Sequence, residues 1–305
     1  MNRPNFKRFA YLLGNAGLLL IATFGLGMQY KHRHDLLDRR LIGAVLGNDF
    51  PLATALIRQG ANPNARYGPP QPFSMRRLWT ELLHHSTRPL DERATAFSLA
   101  CGGHNDTQQT AKWRDRSEPA ELVKFMLKNG ADINAKGPYN TTALFWAVGE
   151  NSPQIVAALL EHGADVNARD ANGYTPLMNA LQGKPAVLQM LLAHGADINA
   201  TTQGGFTPLL IATRVSPNPA TILLLLEHGA SANAQSRDGV SALFRTVMMS
   251  TSPQDPWSQS VIPQLLAHGA SPNLANRRGT TALQLAQQNK RPDLVAMMQQ
   301  AKPTP

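Results

Sequence analysis

The chain has 305 residues, 43% of them apolar and 16% charged, which is enough to build a core and excludes a disordered or fibrous chain. Its single cysteine, Cys101, excludes an internal disulfide framework. The net charge of +9 is unevenly spread: residues 1–40 hold seven Lys/Arg against two Asp/Glu, residues 41–128 eleven against eight, and residues 129–305 eleven against ten. That gradient suits an anionic membrane surface near the N-terminus better than a groove for duplex nucleic acid.

A basic tail, residues 1–8, contains Arg3, Lys7 and Arg8 and leads into an uncharged run, Phe9 to Tyr30. As a helix this run spans roughly 33 Å, close to the ~30 Å hydrocarbon core of a bilayer. Tyr11 and Tyr30 fall near the two interfaces, where amphipathic rings are favoured. No polar face interrupts the run, so it reads as one N-terminal transmembrane helix over 9–30 acting as a signal anchor, with 31–35 as a juxtamembrane linker. The other reading is a cleaved signal peptide with a small-residue site at Gly25-Leu26-Gly27, which would yield a secreted protein. The basic tail favours a cytoplasmic N-terminus and repeats outside the cytoplasm, periplasmic in a bacterium, although Lys31, Arg33, Arg39 and Arg40 pull against that orientation.

Past the linker the chain repeats itself. An apolar run followed by Gly-Ala-x-x-Asn recurs with its glycine at Gly60, Gly130, Gly163, Gly195, Gly229 and Gly269, spaced 70, 33, 32, 34 and 40 residues apart. A second phrase follows about a dozen residues later, opening at Thr142, Thr175, Thr207, Ser241 and Thr281, with a worn copy at Thr95. Each Ser/Thr is placed to cap a first helix, and Pro176 and Pro208 then fall where a missing amide costs little. Pro51, Pro119, Pro153, Pro185, Pro219 and Pro292 open second helices, which end at the recurrent glycines in a left-handed cap. Asn172-Gly173 and Asp238-Gly239 favour tight hairpin turns between units.

This pattern resembles the ankyrin repeat, with its period of about 33 and its Thr-Pro-Leu-His-x-Ala phrase. The resemblance implies an all-α solenoid of about seven helix-turn-helix units with hairpin loops. They run 36–65, 66–135, 136–168, 169–200, 201–234, 235–274 and 275–301, so the repeat domain covers 36–301. The first and last units read as caps, and the last lacks Gly-Ala-x-x-Asn. The family's histidine is absent in every copy: Phe145, Met178, Leu210, Phe244 and Gln284 stand there, which implies a loss of polar bracing between loops and a gain in packing. Inserts lie near 67–93, 102–117 and 249–260, and long loops of this kind are often functional.

No phosphate-binding loop, nucleophile elbow or His-Glu-x-x-His motif is present. His162, His194, His228 and His268 stand one repeat apart, too far to share an ion, and read as helix C-terminal residues. Cys101, His104, His84 and His85 gather around the inserts, and they carry the alternative reading, an enzyme or metal-dependent factor. The leading reading is a non-enzymatic, membrane-anchored scaffold or adaptor for a protein partner. It needs no cofactor and no metal, and takes neither nucleic acid nor a small-molecule substrate. By the resemblance, the partner meets a concave wall of loop tips and first helices. The tips give Tyr139, Arg169, Asn172, Phe206, Arg237, Arg277 and Arg278; the first helices give Trp146, Asn179, Ile211, Arg214 and Arg245, each of which could instead pack between repeats, Ile211 foremost. Tyr139, Trp146, Arg214 and Arg245 lead, since Trp, Tyr and Arg dominate interface energies, and Trp79 and Trp113 in the inserts come next.

Overall fold

The computed structural model describes residues 33–66, 95–101, 118–215, 218–250, 252 and 255–300. The basic tail, the apolar run 9–30 and almost all of the inserts at 67–93 and 102–117 lie outside them.

Among the described residues the chain is a single stack of helix pairs. The pairs are α1 (33–46) with α2 (Phe50–Arg58), α3 (Ala96–Ala100) with α4 (Glu118–Lys128), α5 (Ala143–Gly149) with α6 (Pro153–Glu161), and α7 (Pro176–Asn179) with α8 (Pro185–Ala193). Then come α9 (Pro208–Val215) with α10 (Pro219–Glu227), α11 (Ala242–Met249) with α12 (Pro256–Ala267), and α13 (Ala282–Gln288) with α14 (Pro292–Gln300). Two assignments shift relative to the sequence reading. Residues 33–35, taken as linker, already belong to α1. In the sixth unit, residues 256–260 of the supposed insert are the first turn of a long α12, opened by Pro256 and capped by Asp255.

The helices start where their caps dictate. Thr95, Thr142, Thr175, Ser241 and Thr281 are extended, and each side-chain oxygen accepts the amide three residues on. Thr207 does the same for Leu210 at 3.3 Å. Second helices end at glycines with left-handed φ of 83° to 99°, where any other residue would be strained. The loops between units are turns with isolated bridges, Gln235 to Ser241 and Ala275 to Thr281 among them, and neighbouring tips share main-chain bonds such as the Ala171 amide to the Tyr139 carbonyl at 2.8 Å; no hairpin strand ladder forms among the described residues.

Each first helix from α3 to α13 packs on the next, and most second helices do likewise. Leu144, Leu177, Leu209 and Leu243 fill the seam between first helices, and Leu159, Leu191, Leu225 and Leu265 the seam between second helices; all eight are essentially inaccessible. Truncating one such leucine to alanine costs about 2–5 kcal/mol in a close-packed core.

Polar stitching sets the step between units. The asparagine of each Gly-Ala-x-x-Asn reaches the following repeat. Asn199 donates from Nδ2 to the Gly229 carbonyl at 3.2 Å and accepts the Ser231 amide on Oδ1 at 2.9 Å. Asn167 does the same to Gly195 and Asp197, and Asn233 to Gly269 and Ser271. Asn134 accepts from Asp165 at 2.9 Å. Asn64 bonds Gly130 at 2.9 Å and Asp132 at 2.7 Å across 66 and 68 residues, so the second unit's inserts leave the rung intact. This answers the expected loss of bracing: Met178, Leu210 and Phe244 fill the core where the family's histidine would stand, and the asparagines brace the loops.

The two ends are finished differently. At the first pair, α1 supplies two side chains in the asparagine's stead. His34 contacts the Gly60 carbonyl through Nδ1 at 3.0 Å, and Asp38 accepts the Asn62 amide at 2.6 Å. Burial, ahead of a counteracting bond from Asn62, raises the Asp38 carboxyl above its ordinary value. At the far end Arg291 is buried; it donates to the Ser250 hydroxyl and pairs with Asp293 at 2.7 Å. Ser250 in turn donates to Ser258 at 2.9 Å within the sixth unit, so the Arg291 contact ties the last two units. Gln287, Gln288, Gln299 and Gln300 face solvent there, as a closing unit requires.

Substituting Asn199 by alanine removes two bonds to the main chain and is expected to cost about 1–3 kcal/mol in urea unfolding. Asn172, whose side chain makes no such rung, is expected to tolerate alanine within about 0.5 kcal/mol.

Candidate functional site

The register of the first helices defines two columns on the side where the resemblance places the binding wall. Trp146, Asn179, Ile211 and Arg245 occupy the fourth helical position, while Gly149, Gln182, Arg214 and Met248 occupy the seventh. In the fourth unit α7 is only four residues long and relaxes into a 3-10 turn, Ala180–Gln182, before Gly183. This shortening leaves a notch. A cleft of about 560 Å³ runs there, lined by Val148, Gly149, Asn151, Tyr174, Met178, Asn179, Gln182, Gly183, Phe206, Ile211 and Arg214.

Its walls are held in place. Asn179 donates to the Phe145 carbonyl at 3.0 Å, bridging two units, and a Cβ on Gly149 would come within 3.0 Å of the same amide. Asn151 accepts the Lys184 amide at 2.9 Å, fixing the turn after α7. Tyr174 and Phe206 form the loop side. Phe206 lies half-buried because Gly204 leaves room for it: a Cβ there would stand 2.9 Å from the ring. The Arg245 guanidinium rests over Phe206, 5.6 Å from the ring centroid.

The arginines give the cleft its electrostatics. Burial first, and the neighbouring charge of Arg214 second, lower the Arg245 pKa from the ordinary arginine value. Its Nε is buried without a hydrogen-bond acceptor, and the described ion pairs, Lys124–Glu121 and Arg291–Asp293, lie elsewhere. The buried Trp146 indole nitrogen also lacks an acceptor, one turn before the cleft.

The structure therefore gathers only part of the expected wall. Phe206, Asn179, Arg214 and Arg245 converge, with Asn179 and Phe206 also serving the scaffold. Ile211 is buried, as expected. Arg169 is exposed but donates to the Thr201 carbonyl at 2.6 Å, bracing adjacent loops. Tyr139, 74% exposed in a left-handed turn, and Asn172 stand on loop tips, as do Arg237, Arg277 and Arg278. Tyr174, Asn151, Gln182 and the half-exposed Met248 were missed. The last two share a column with Arg214, so aligning the helices by position finds them.

Away from this side, a hollow of about 600 Å³ lies between α2 and α4, with Arg58 over Phe125 at 5.5 Å. The recurrent histidines bond back onto their own helices: His162, His194, His228 and His268 each place Nδ1 2.7–2.8 Å from the carbonyl four residues earlier. Cys101 is fully buried, and burial pushes its thiol far above the ordinary range, so it is held protonated. No group of three or more His, Cys, Asp or Glu among the described residues is placed to share a metal ion. His84, His85, His104, Trp79 and Trp113 lie outside those residues.

Stacked helix pairs with a concave cleft define a repeat solenoid of the interaction type. Ankyrin repeats match residues 114–202 and 172–238. The fold is similar to an ankyrin repeat domain from Acinetobacter baumannii AYE, with TM-score 0.58 and 28% identity over 68% of this chain and 98% of that one. It is similar to the ankyrin repeat domain of Bcl-3, a member of the IkappaB protein family, with TM-score 0.60 and 25% identity over 85% and 97%. EF0377, an ankyrin repeat protein, gives TM-score 0.56 and 25% identity over 64% and 96%. No curated protein matches the sequence significantly. The chain carries ankyrin repeats, and such repeats are generally modules for protein–protein interaction.

Cys101 is expected to resist a maleimide at pH 8 in the folded protein and to react within minutes in denaturant. Labelling followed by mass measurement checks this.

Proposed function

We propose that this chain is a membrane-anchored adaptor that holds a protein partner along the concave cleft of units three to five and carries out no turnover. The observation behind the binding reading is the cleft itself, with aromatic and arginine side chains on rigid, mutually braced helices. Such groups supply most interface energy, and a prebuilt wall spares the partner an ordering cost. Spreading side chains along a stack provides area rather than the convergent groups catalysis needs.

Anchoring rests on the sequence. Among the described residues no helix is long and apolar enough to cross a membrane, and the apolar run 9–30 lies outside them. Its length, its lack of charge and its basic flanks support a single span with a cytoplasmic N-terminus and the repeats on the other side.

A photo-crosslinking residue at Gln182, on the cleft, is expected to trap one discrete partner in cells, whereas one at Gln189 on a second helix is not. Equal yields from both positions would remove the cleft from the account. A topology reporter fused after Pro305 is expected to be active outside the cytoplasm, and the protein to stay with membranes after alkaline carbonate washing; release by carbonate would contradict the anchor.

A further inference from the structure

We infer that the partner presents an acidic side chain, next to an apolar one, to the arginine pair at the end of this cleft. The inference rests on the cleft being the binding site and adds the chemistry of what enters it.

Residues 129–305, which include units three to seven, are nearly neutral, with eleven Lys/Arg against ten Asp/Glu, so a field from this part of the chain does not explain these arginines. They are a local feature. Arg214 on α9 lines the cleft together with Phe206, Arg245 on α11 lies over that same ring, and among the described residues neither forms an ion pair. The arrangement is costly as it stands: one guanidinium is half-buried on an aromatic face, with its Nε shut away from water and from any acceptor. A carboxylate arriving between the two would relieve the repulsion and meet planar, fork-shaped donors.

The surroundings specify the neighbouring side chain. Phe206 and Tyr174 line the adjoining wall, and Met248, 49% exposed, follows Arg245 by three residues on α11. Exposed methionine beside an aromatic wall makes an adaptable apolar contact surface. A flat anionic bilayer does not reach the floor of a cleft walled by loops on one side, whereas an extended peptide segment does. An acidic–apolar peptide therefore fits better than a lipid surface.

The test selects a random twelve-residue peptide library on the purified full chain, in parallel with Arg214→Gln, Arg245→Gln and the loop-tip variant Arg237→Gln. Thermal melting establishes that each is folded; if Arg245→Gln is not, the solvent-exposed Arg214→Gln carries the comparison. Selected peptides are expected to be enriched in Asp/Glu next to Leu, Ile, Phe or Met on the parent and on Arg237→Gln, and to lose the acidic enrichment on the cleft variants. A selected peptide remade with Gln for Glu is expected to bind at least tenfold more weakly by fluorescence anisotropy. Peptides that bind the cleft without acidic enrichment, or equally well on the arginine variants, would overturn the inference and leave the binding reading standing. A library that yields no binder on the parent would overturn both.

Discussion

The structure depends on a fixed step between neighbouring units, set by apolar seams and registered by an asparagine. Leucine seams alone supply attraction without direction, since one greasy helix face slides on another at little cost. The asparagine removes that freedom. Its amide nitrogen meets the carbonyl at the left-handed glycine of the next unit while its oxygen takes the amide two residues on, as in Asn199 with Gly229 and Ser231. Both partners are main-chain groups, so the rung reads backbone position and tolerates variation in side chains. The Gly-Ala-x-x-Asn phrase is therefore one device: glycine to end the helix, asparagine to locate the following copy.

The same constraint explains how the second unit carries long inserts. Asn64 finds Gly130 and Asp132 in the geometry that its counterparts use over half that sequence distance. The stack continues across the added sequence, since loop closure becomes more costly only slowly with length. It also explains the first pair, where His34 and Asp38, one helical turn apart on α1, divide between them the two bonds that a single asparagine makes elsewhere. An element that follows the apolar N-terminal run is thus built into the first step of the stack.

Much of this was legible from the sequence because local rules are strict. Glycine recurs at the ends of the second helices, Ser/Thr caps recur at the starts of the first helices, and proline marks the starts of the second. The role of the asparagines was not legible, because it is a contact between units and carries no local preference. Nor was the cleft, which depends on α7 ending early at the Gly183 turn and on Gly204 letting Phe206 lie flat. Asn179 and Arg169 looked like free surface groups by position, yet their donors are spent on neighbouring carbonyls. Arg214 and Arg245 form no ion pair among the described residues, although the Arg245 guanidinium rests on Phe206.

The central claim is that the rungs hold the stack in register, and residue-resolved hydrogen exchange on the full chain tests it most directly. The amides of Asp132, Asp165, Asp197, Ser231 and Ser271, each bonded to an asparagine of the preceding unit, should all exchange far more slowly than an unstructured amide, with Asp132 protected despite the inserts before it. Exchange of these five amides at the unprotected rate would mean that the asparagines register nothing and that the account of the stack is wrong.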